Sequence, residues 1–137
     1  RADRMYNAKR LRGRFATDTF FSDTKSTFGN MCAQIHSHKV GFSACYPLPN
    51  AYGESIGTSL SDFIHDFGAP EHLTFDGAQV HMGRKTSFQA NLRKHNIDYH
   101  VSSPRRPNEN LGESAIHEVK RRMYRMAHKK QVPNRYW

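Results

Sequence analysis

Three acidic residues stand where a carboxylate needs a reason. Asp18 interrupts the apolar run "FATDTFF" (15–21), and a carboxylate in a buried strand needs a partner to offset its desolvation. Asp76 closes the strand-forming "HLTF" (72–75) and is followed at once by Gly77. Glu113 opens a basic helix just beyond the loop "PRRPNENLG" (104–112). Each has an ordinary reading. Asp18 could blunt an edge strand, Asp76-Gly77 could be a turn, and Glu113 could be a first-turn acid favoured by the helix dipole. Taken jointly they suggest chemistry. In a twisted parallel sheet, ligand sites lie beyond the carboxyl ends of strands. Carboxylates converging there repel one another unless cations sit between them, which is the constellation of a Mg²⁺ site. Glu109, in the loop before Glu113, is a competing third acid.

The elements that must position these acids follow from the hydrophobic pattern. "RFATDTFF" (14–21) reads as a buried strand. "NMCAQIHSHKVGFSACYPL" (30–48) alternates on both sides of a turn at His38-Lys39 and predicts a hairpin. That turn pairs Ile35 with Phe42, Ala33 with Ala44 and Met31 with Tyr46, and sets Cys32 opposite Cys45 as reduced thiols. Ile56, Leu60, Phe63, Ile64 and Phe67 recur at helical spacing, and Gly68-Ala69-Pro70 stops that helix. "TSFQANLRKHN" (86–96) reads as a short helix capped by Thr86 or Ser87, and "IDYHVSS" (97–103) as a strand. A last helix runs over 113–130. The order predicts an α/β layer with a mixed sheet, antiparallel at the hairpin and parallel where helices intervene.

With 137 residues the chain is one domain's worth, divided here into a basic arm (1–13) and a core (14–137). Its abrupt ends predict a piece of something longer. No run is long and apolar enough to span a bilayer, and two cysteines point to a reducing compartment. Cys32, His36, His38 and Cys45 fit no standard zinc spacing, and strand alternation accounts for them. Charge is the strongest signal in the composition. Lys and Arg number 21 against 12 Asp and Glu, for a net charge of +9, which favours a polyanionic partner. The basic residues cluster in Arg1–Arg14, Arg105-Arg106 and Lys120–Lys130. On the last helix, Ile116, Val119, Met123, Met126 and Ala127 form one apolar stripe at about 100° per residue. His117, Lys120 and Tyr124 flank it on the side of Glu113, while Arg121, Arg122, Arg125 and Lys129 turn toward solvent.

An Asp in the first strand, an Asp closing the fourth and a Glu opening a basic helix resemble the catalytic triad of retroviral and retrotransposon integrases. The gap 77–112 between the second and third acids is close to the family's. "HVSSPRRPNENLGESAIHEVKRRM" is similar to the family's approach to its Glu, and "VPNRYW" resembles the element after the core in copia-type retrotransposons. "DGAQVH" departs from the family, which has Asn after the second Asp and an aromatic a few residues on. The resemblance implies a ribonuclease-H-like fold with a five-stranded mixed sheet flanked by helices. It implies two Mg²⁺ (or Mn²⁺) ions held by Asp18, Asp76 and Glu113, and processing and strand transfer of element DNA into host DNA in the nucleus. The implied partners are double-stranded DNA, contacted by His117, Lys120, Arg121, Tyr124, Arg105 and Arg106, and further copies of the chain. Two rival readings stand beside it. One is a ribonuclease-H-like or transposase nuclease, the other a decayed core kept as a nucleic-acid-binding module.

Overall fold

The computed structural model describes residues 8–77, 86–102 and 111–137, the first three of the last range by backbone only. The strands are β1 (Arg10–Phe21), β2 (Cys32–His38), β3 (Ser43–Leu48), β4 (Ala69–Asp76) and β5 (Asp98–Ser102). The helices are α1 (Gly53–Asp66), α2 (Ser87–Lys94) and α3 (Leu111–Lys130), followed by a 3-10 turn at Asn134–Tyr136. The strands form one mixed sheet in the order β3-β2-β1-β4-β5. β2 and β3 join antiparallel, whereas β1, β4 and β5 run parallel. Every predicted element is present. β1 begins earlier than the pattern suggests, at Arg10, within the stretch read as an arm. The Arg10 guanidinium donates to the backbone oxygens of His95 and Asn96 beyond α2, which ties the start of β1 to the far end of the sheet.

One face of the sheet carries the main core. α1 lies on it with the apolar face foreseen from its spacing. Ile56, Leu60, Phe63 and Ile64 pack with Phe15, Leu73, Phe75, Phe88 and Leu92. α1 and α2 approach so closely that a methyl group on Gly57 would lie 1.8 Å from the Ser87 hydroxyl and 2.7 Å from the Phe88 nitrogen. The Gly57 carbonyl instead accepts from the Asn91 amide at 2.9 Å. Thr86 caps α2, its hydroxyl accepting from the Gln89 backbone nitrogen.

The β2–β3 hairpin corrects the expected register. Ile35 pairs with Cys45, Ala33 with Pro47 and Cys32 with Leu48. The reason is the loop. Gly41 has φ 90°, and the His38 nitrogen donates to the Phe42 oxygen at 2.8 Å. Residues 39–41 therefore form a three-residue turn ending in a left-handed glycine, not a two-residue turn at 38–39. Cys32 and Cys45 end on opposite faces and both are free thiols. Burial pushes the Cys32 thiol above its usual range. Phe42 folds back on Phe63 and Phe67.

Candidate functional site

β1 and β4 pair in parallel, Phe15 with Leu73 and Ala16 with Thr74. The next residues on the same face of each strand are Asp18 and Asp76, so the register carried forward sets these acids side by side. The last recorded pair lies two residues before each acid, so both stand toward the carboxyl ends of neighbouring parallel strands. Both are half-buried. Asp18 still lies within the sheet, opposite Ile35 on β2, and its Oδ1 accepts from the Thr19 nitrogen at 2.8 Å. Asp76 is held by pairing with Ser102 on β5. Gly77 does not adopt a positive φ, so the acid closes a paired strand and does not belong to a left-handed glycine turn.

α3 packs against β1 and β2. It covers the face that holds Asp18, because Phe20, the next residue on that face, lies under the Lys120 ammonium at 5.5 Å from the ring centre. Glu113 lies in the first turn of α3, and seven residues of helix put it about 10 Å along the axis from Lys120. Its side chain lies outside the described residues, as do Arg105, Arg106 and the competing Glu109. Among the described residues, no three His, Cys, Asp or Glu side chains are close enough to hold a metal.

The remaining candidates sort along α3. His117 is exposed and Lys120 half-buried. Arg121 is engaged with Glu118, at 2.6 Å, and Arg122 shares the same carboxylate at 2.7 Å. Those hydrogen bonds, Arg122 first and Arg121 second, hold the Glu118 carboxyl below its usual range. Tyr124 is exposed. Of the predicted apolar stripe, Ile116, Val119, Met123 and Ala127 are half-buried. Met126 is 68% exposed instead of docked, because it sits at the edge of the stripe near the helix end. There the sequence reading missed a groove of about 620 Å³ between α3 and the end of β1, lined by Phe20, Phe21, Tyr124, Met126, Tyr136 and Trp137 among others. Its only signal in the sequence is the aromatic pairs Phe20-Phe21 and Tyr136-Trp137.

Neither a protein-family model nor a curated protein matches this sequence. Solved structures do. The chain is similar to the catalytic core domain of HTLV-2 integrase in complex with magnesium. Against its dimeric form it aligns with a TM-score of 0.67 at 13% identity, over 88% of this chain and 76% of that one. Against the trimeric form the score is 0.64 at 12% identity, over 88% and 74%. The five-stranded mixed sheet and its helices are the ribonuclease-H-like fold of those integrase cores.

Proposed function

We propose that this chain is the catalytic core of a retrotransposon integrase of the copia type, a polynucleotidyl transferase that trims element DNA and joins it to host DNA in the nucleus. The observation that supports this reading is the parallel β1–β4 register, whose last pair, Ala16 with Thr74, lies two residues before Asp18 and Asp76 on the same face of each strand. α3, which carries Glu113 in its first turn, packs on the same face. Likeness to integrase cores in fold supports the same class.

The donor set fits a divalent metal. Carboxylates are the hard oxygen ligands that Mg²⁺ or Mn²⁺ takes, and the HTLV-2 cores were solved with magnesium. Asp18, Asp76 and Glu113 would hold two ions. When bound, such a pair supplies Lewis-acid stabilisation to the attacking and leaving oxygens of an in-line phosphoryl transfer. The protein's own side chains do the rest. Lys120, on the face of the acids and fixed over Phe20, binds a phosphate near the scissile bond. His117 adds a second contact to the strand, and Arg121, Tyr124, Arg105 and Arg106 extend the contact along the DNA. The chain self-associates on DNA, as the dimeric and trimeric forms of the HTLV-2 core suggest.

Asp76→Asn tests the reading directly. In a strand-transfer assay with Mg²⁺ and element-end DNA, the variant keeps the far-ultraviolet spectrum of the parent and loses activity. Full activity in the variant removes Asp76 from the site. Cleavage of RNA–DNA hybrids without strand transfer identifies a ribonuclease H, and metal-independent DNA binding with no reaction identifies a decayed core.

A further inference from the structure

The groove beside α3 combines features that a folded surface rarely leaves exposed together. Phe21 is 63% exposed, Tyr124 71% and Tyr136 55%, and all three line the same depression. Its floor is built. Trp137 packs on Phe20 with ring centres 6.4 Å apart, and its indole nitrogen donates to the Thr24 oxygen at 2.5 Å. The chain just before it is also pinned, the Thr27 nitrogen donating to the Arg135 oxygen at 2.7 Å. The groove is thus a depression with a fixed aromatic floor and exposed rings along its walls.

Charge decides what such walls would receive. Lys120 and Lys130 line the groove, against a single acid, Asp23. The exposed side of α3 adds Arg125 and Lys129, on a chain of net charge +9. An apolar protein segment would gain from the rings but not from the cations. A single-stranded nucleic acid uses both, because its bases stack on aromatic faces while its phosphates take the cations. Duplex DNA keeps its bases inside and offers the rings nothing. We propose that this groove binds an unpaired stretch of DNA, stacking bases on Phe21, Tyr124 and Tyr136 with Lys120 and Lys130 on the phosphates. The proposal rests on DNA being the partner, and adds that a strand must leave the duplex next to the acidic site.

Trp137 is the only tryptophan in the sequence and lines the groove, so the chain carries its own reporter. An oligothymidylate of about eight nucleotides titrated into the chain quenches Trp137 fluorescence to saturation. A blunt duplex binds without that quenching. Phe21→Ala and Tyr124→Ala, both at exposed positions and checked for unchanged melting, each weaken the single-strand affinity about tenfold. Lys130→Ala lowers the slope of log affinity against log salt by about 0.7. Equal quenching by parent and both ring variants overturns the proposal. So does a dimer in sedimentation that Tyr124→Ala dissolves, which would assign the groove to a second copy of the chain. Tighter seating of an apolar, acidic peptide than of the oligonucleotide overturns it in favour of a protein partner. Asp76→Asn retains the quenching, so loss of strand transfer and loss of groove binding are separate failures.

Discussion

On the face of the sheet that bears α1 and α2, Ile56, Leu60, Phe63 and Phe88 are at most 1% exposed and join a single cluster with the strands beneath. On the face under α3, none of the described side chains of that helix is fully buried. Among the described residues, the strands offer that face few large buried apolar side chains, chiefly Phe20 and Ile35 beside the small Ala16 and Ala33. Apolar burial contributes about 25 cal/mol per Å², so the first face dominates stability. The second is free to carry what packing would exclude, namely two neighbouring carboxylates, a row of cations and an open aromatic groove. The division separates the face that holds most of the buried core from a face rich in charge and exposed rings.

The largest test of this contrast is a pair of truncations. Phe63→Ala removes a ring that touches Phe15, His36, Phe42 and Phe67 and should lower unfolding free energy by about 3–5 kcal/mol. Met126→Ala on the other face should change it by no more than about 0.5 kcal/mol. Denaturant titration of both variants decides, and equal losses would erase the distinction. Next in size is the response to metal. If the acidic face is built for a cation, Mg²⁺ at about a hundred times its dissociation constant should stabilise the fold by about 2.7 kcal/mol. Thermal melts should show that gain in the parent and not in Asp18→Asn. Gly41→Ala should then cost about 1–2 kcal/mol, since alanine would have to hold the left-handed conformation. Amide exchange at the His38 nitrogen should quicken, whereas an unchanged rate would mean the hairpin does not depend on that residue.

The smallest effect is one of pH. Burial, helped by Lys94 and Arg10, holds the His95 imidazole below its usual pKa. The unfolded chain then takes up a proton, near pH 6.5, that the folded chain refuses. Stability is therefore full above that pH and declines as pH falls below it toward the lower folded value. His95→Gln should flatten this part of the stability–pH curve, and a parent curve already flat between pH 7 and 5 would count against the assignment.

Much of this arrangement was legible in the residues. The order of elements followed from period and punctuation, and Asp18 stood out as an acid inside an apolar strand and Asp76 as one closing another. The hairpin register did not, and β2 shows why. Its residues from Cys32 to Ser37 are buried on both faces, so alternation there carries no directional information. The register passed instead to a loop whose length depends on one backbone torsion at Gly41. The start of β1 was masked by Arg10 and Arg12, which face outward beside a bulge between Leu11 and Arg14. The groove was hidden because its walls come from the end of one strand and the end of a distant helix. No local pattern joins Phe21 to Tyr136.

The parallel pairing of β1 with β4 has a consequence for folding order. Ala16 and Thr74 meet only after the hairpin and α1 have been traversed, and such distant parallel contacts form slowly because the intervening chain must first be closed into a loop. Until they form, Asp18 and Asp76 belong to separate segments and share no common site. A nascent or partly unfolded chain therefore cannot yet bring the two acids to the same end of the sheet, an arrangement that arises only in the step that completes the topology.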